Sequence, residues 1–76
     1  MKKITSGQYK GAFKLELSND YSLIIEDDLN RITLKNNENA EFEKVWNFEK
    51  APSLTDLDSI IDEVLIEHGI YTTYWN

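Results

Sequence analysis

In three of the four segments between residues 8 and 49 that read as extended, the apolar side chains fall at every second position, and after Pro52 they recur at helical spacing. A period of two puts alternate side chains on opposite faces of a strand; a period near 3.6 gathers them on one side of a helix. The change of period implies a run of strands followed by one helix, an α+β order. In QYKGAFKLEL (8–17), Tyr9, Phe13, Leu15 and Leu17 hold odd positions while Lys10, Lys14 and Glu16 hold even ones, the pattern of a strand with one buried face. Ser18-Asn19-Asp20 is a turn cluster, because short polar side chains bond their own backbone. YSLIIE (21–26) and RITLK (31–35) read as the next two strands, joined by a turn at Asp27-Asp28-Leu29-Asn30. NNEN (36–39) turns the chain into AEFEKVWNFE (40–49). There Phe42, Trp46 and Phe48 share one face, and Glu41, Glu43, Asn47 and Glu49 share the other with Val45.

LTDLDSIIDEVLIEHG (54–69) is the helix. Pro52 is tolerated just before or at a first turn, and Ser53 or Thr55 can cap, each followed three residues later by an aspartate. At about 100° per residue, Leu54, Leu57, Ile60, Ile61, Val64 and Leu65 fall on one arc, and Gly69 supplies a left-handed stop. The tail IYTTYWN reads as a short strand or a strap over the core. The expected fold is one domain spanning 1–76: a four-stranded antiparallel meander, one C-terminal helix packed across the aromatic face, and a short C-terminal strand or strap.

A chain of this length buries only about 60% of its unfolded surface, so nearly every large apolar residue is needed inside. The absence of cysteine excludes disulfides and thiolate metal sites and points to the cytoplasm. No apolar run approaches the roughly 18 residues needed to cross a bilayer, and MKKITSGQYKG has no apolar stretch to serve as a secretory signal. Catalytic motifs are missing. The three glycines are scattered, neither G-x-S-x-G nor H-E-x-x-H occurs, and the one histidine, His68, falls where a helix C-terminus favours a cation. Glu26-Asp27-Asp28 lacks the spacing of a calcium loop and reads as a solvated turn. No enzyme, cofactor or metal is expected.

Charge is the informative remainder. Residues 1–38 hold six bases and six acids; residues 39–76 hold two bases and eight acids, so the whole net charge of −6 lies in the second half. Clustered lysine and arginine are what a nucleic-acid backbone requires, so direct binding to DNA or RNA is not expected. The helix has five acids and no lysine or arginine. Asp56, Glu63 and Glu67 project as one stripe, Asp58 and Asp62 as a second, with Ser59 and Ile66 between them on the outward side. The expected partner-binding residues are therefore Asp56, Asp58, Asp62, Glu63, Ile66 and Glu67, assisted by Glu41, Glu43 and Glu49, and the expected partner is a basic protein, such as one that binds nucleic acid. In size, charge and lack of catalytic motifs the chain resembles the small acidic inhibitors of phages and other mobile elements, including anti-CRISPR proteins and DNA mimics. The resemblance implies an inhibitor that occupies a nucleic-acid-binding groove. A second reading is a homo-oligomeric structural or accessory protein that assembles through Tyr71, Tyr74 and Trp75.

Overall fold

The computed structural model describes residues 2–17 and 20–68. Five antiparallel strands form one sheet in sequential order: β1 (Lys2–Lys3), β2 (Phe13–Glu16), β3 (Tyr21–Glu26), β4 (Arg31–Asn36) and β5 (Glu43–Asn47). One helix, α1 (Leu54–His68), follows them. The α+β meander with its helix is as the periodicity implies, with five strands instead of four. The additional strand is β1, whose two residues carry no period to detect. It arises because 8–17 is not one strand: Gly7 (φ 85°) and Gly11 (φ 93°) adopt left-handed backbone that turns the chain back on itself. Ile4 N donates to Ala12 O at 2.8 Å and Gly11 N to Ile4 O at 2.9 Å, which lays the N-terminal segment beside β2 and leaves Tyr9 in a turn. The expected C-terminal strand or strap, and Gly69 as the helix stop, lie outside the described residues.

The hairpin turns follow their side chains. The β3–β4 connection is a single 3-10 turn, Asp27–Leu29, closed by Asn30 in the left-handed region (φ 51°, ψ 47°), which asparagine tolerates better than most residues. Before β5, Asn36 Oδ1 accepts from the backbone N–H of Glu38 (2.8 Å) and Asn39 (3.0 Å), and Asn39 Oδ1 accepts from that of Glu41 (3.1 Å).

Register aligns the apolar positions into rows. Leu15 pairs with Leu23 and Leu23 with Leu34; one step along, Phe13 pairs with Ile25, Ile25 with Ile32 and Ile32 with Trp46. These rows face α1, whose Leu57, Ile60, Ile61 and Val64 complete the core, with Phe42, Trp46, Phe48 and Leu65 packed at its margin. Leu54, placed on the core arc by spacing, is 72% exposed instead. On the opposite face Ser22, Ile24 and Thr33 are buried as well. Among the described residues, no buried side-chain nitrogen or oxygen lacks a hydrogen-bond partner.

Candidate functional site on the helix

Helix α1 begins with a reciprocal cap. Ser53 N and Ser53 Oγ donate to Asp56 Oδ2 at 2.9 and 3.1 Å, and Asp56 N donates back to Ser53 Oγ at 3.2 Å. Aspartate here does with a shorter side chain what glutamate does in a capping box of the same spacing. Asp56 is thereby occupied in starting the helix, and its negative charge sits at the end where the backbone dipole is positive.

Glu63 and Glu67 are also engaged. Lys44 of β5 stands on the helix-facing side of its strand, at the same parity as Phe42, Trp46 and Phe48, with Leu34 as its cross-strand partner. Its ammonium pairs with Glu63 at 3.5 Å and with Glu67 at closer range, and lies 5.2 Å from the Trp46 ring centroid. The Trp46 indole N–H donates to Glu63 Oε2 at 2.9 Å. The hydrogen bond to Glu67 is the main reason the Lys44 pKa is raised; partial desolvation opposes it, and the charges of Glu67 and Glu63 add to it. One lysine thus ties the C-terminal half of the helix to the edge strand. The sequence carried a signal for this contact, since a lysine in phase with three aromatic residues must find a counter-charge or reach past them to water.

The expected residues therefore separate. Asp56 caps, Glu63 and Glu67 hold Lys44, and Asp58 is of intermediate exposure. Asp62 is exposed, and Ile66, one turn further, is 86% exposed. With Thr55 and Ser59 they form the outward stripe of the helix, all four exposed. Leu54, Asp58, Asp62 and Ile66 lie four residues apart in turn, so a single ridge about 18 Å long runs from one exposed leucine to one exposed isoleucine. Glu43 does not join this surface. It projects from the sheet face opposite the helix and pairs with Lys35 at 3.7 Å, while Glu41 and Glu49 sit in turns. In the Glu26-Asp27-Asp28 segment, Glu26 is committed to a two-point contact with Arg31, from Nε to Oε1 and from Nη2 to Oε2, both 2.9 Å. That contact is the first cause of the raised Arg31 pKa.

A pocket of about 300 Å³ opens where the helix begins. Its floor is the row Phe13, Ile25 and Ile32, and its walls are Leu54 and Leu57 with Pro52. Asp27 and Ser53 are the polar groups lining it. Leu57 is 3% exposed, so the helix is seated there; the opening remains because Leu54 turns outward. Tyr71, Tyr74 and Trp75 of the expected assembly surface lie outside the described residues. No protein-family model matches the chain, and no characterised protein or solved structure is significantly similar to it.

Proposed function

We propose that this chain is a non-enzymatic acidic interaction protein that acts in the cytoplasm and docks the outward side of α1 on a basic surface of a partner protein. The observation that carries the reading is an isoleucine 86% exposed one turn beyond an exposed carboxylate, on a helix that contains five acids and neither lysine nor arginine. An apolar centre with charges around it is the composition of a docking patch, in which the dry middle contributes affinity and the rim contributes orientation and on-rate. Charge complementarity selects a cationic partner. A groove that otherwise holds nucleic acid is the surface proposed, and an inhibitor carried by a phage or mobile element is the role. No described helix is long and apolar enough to cross a membrane.

Mimicry here is narrow. Asp56, Glu63 and Glu67 have internal partners, so an extended ladder of substitute phosphates is not what the helix offers; the ridge from Leu54 to Ile66 is. The test follows from that division. Reversing Glu63 and Glu67 would set new lysines against Lys44 and disturb the fold, whereas Asp62 and Ile66 are exposed. Wild type and the double variant Asp62→Lys, Ile66→Ser are each used to capture proteins from the cells that make this chain, at low and high salt. The expected result is a basic protein held by wild type at low salt, released at high salt and not held by the variant. Equal capture by both proteins would exclude the outward helix face as the docking site.

A further inference from the structure

The pocket beneath the start of α1 has a size, a polarity and a charge that together specify an occupant. Its volume, about 300 Å³, is twice that of the roughly 150 Å³ apolar cavity known to hold benzene, so one large side chain fits together with the methylenes that link it to its backbone. The floor and walls are aliphatic and aromatic, supplied by three adjacent strands and the first turn of the helix. The charge beside it is negative. Asp27 lines the opening, is exposed, and has no ion pair or side-chain hydrogen bond among the described residues. The Asp56 carboxylate stands one hydrogen bond behind Ser53, which also lines it. Against two full negative charges the helix N-terminus sets about half a positive one, so an anion is rejected and a cation favoured. No lysine or arginine is among the lining residues.

We infer that this pocket seats an apolar side chain, aromatic or long aliphatic, of the cationic partner, with the lysine or arginine next to it in that partner's sequence placed against Asp27. The inference rests on the proposed docking function for the identity of the partner, and on the pocket alone for the chemistry of the anchor. Leu54 belongs to both surfaces, since it is one end of the exposed helical ridge and one wall of the pocket. A partner lying along the ridge therefore passes over the opening. Buried anchors of this kind carry most of the energy of an interface, while contacts around them mainly exclude water.

The test needs no partner. The full chain, labelled with ¹⁵N, is titrated with N-acetyl-Lys-Phe-amide and separately with N-acetyl-Glu-Phe-amide, and backbone amide shifts are followed. The lysyl peptide is expected to move the amides of Phe13, Ile25, Ile32 and Leu57, and the glutamyl peptide to bind about fivefold more weakly, the scale an exposed charge pair contributes. Asp27→Asn, at an exposed turn position whose spectrum reports whether the fold is kept, should bring the two peptides together. Equal binding of the two by wild type, shifts confined to other residues, or no shift at the lining amides would each overturn the inference. A negative titration leaves capture through Asp62 and Ile66 standing. A positive one combined with equal capture by the Asp62→Lys, Ile66→Ser variant keeps the pocket and removes the helix-face reading.

Discussion

Lys44 and Ser53 each settle the fate of acids that a helical projection alone would leave on the surface. At Lys44 the folded state holds the ammonium proton more tightly than the unfolded chain does, chiefly through Glu67. A raised pKa contributes stability that is complete below the ordinary lysine value of 10.5 and disappears as pH climbs through the higher folded value. Wild type should therefore lose stability relative to Lys44→Met as pH rises through that alkaline range, as urea unfolding at a series of pH values from neutral upward would record; a constant difference there would contradict the ion pair. Ser53→Ala should cost about 1 kcal/mol in the same assay at neutral pH, because it removes both the hydroxyl that accepts from Asp56 N and the donor to its carboxylate. The cap was legible because serine and aspartate three apart are local. The phase of Lys44 signalled that it needs a counter-charge, but which acids supply it was not legible, because they lie 19 and 23 residues away and depend on how the helix lies across the sheet.

Among the elements, α1 separates two isoleucines with the same intrinsic character. Ile60 is 3% exposed against the sheet and Ile66 is 86% exposed. Ile60→Ala should cost about 2–5 kcal/mol through lost burial and a residual cavity, whereas Ile66→Ala should change stability by less than about 0.5 kcal/mol. Thermal unfolding of the two variants checks both numbers, and comparable losses would contradict the orientation of the helix. That orientation was readable from the 3.6-residue period for Leu57, Ile60, Ile61 and Val64, and it failed at Leu54. A first-turn residue has no preceding turn to fix it, and here the cap at Ser53 sets where the chain enters. The same limit explains the N-terminal region. Period two was read through Tyr9, but positive φ at Gly7 and Gly11 breaks the strand, and a two-residue β1 has no period of its own.

For the molecule as a whole, the antiparallel meander brings Lys44 on the edge strand under the C-terminal half of the helix, and this arrangement decides which acids remain outward. Charge segregation was visible in the sequence: the first half is balanced and the second carries the entire excess. What charge counting could not supply was the division between carboxylates spent on the fold and the exposed ridge that ends in Ile66. The central claim is that this ridge meets a cationic surface. Its most direct measurement is the affinity of wild type and of the Asp62→Lys, Ile66→Ser variant for the captured partner across a range of salt concentration. The expected wild-type affinity falls steeply with salt, and the variant binds at least about tenfold more weakly at low salt with a shallower dependence. Superimposable salt curves for the two proteins would show that the partner docks elsewhere.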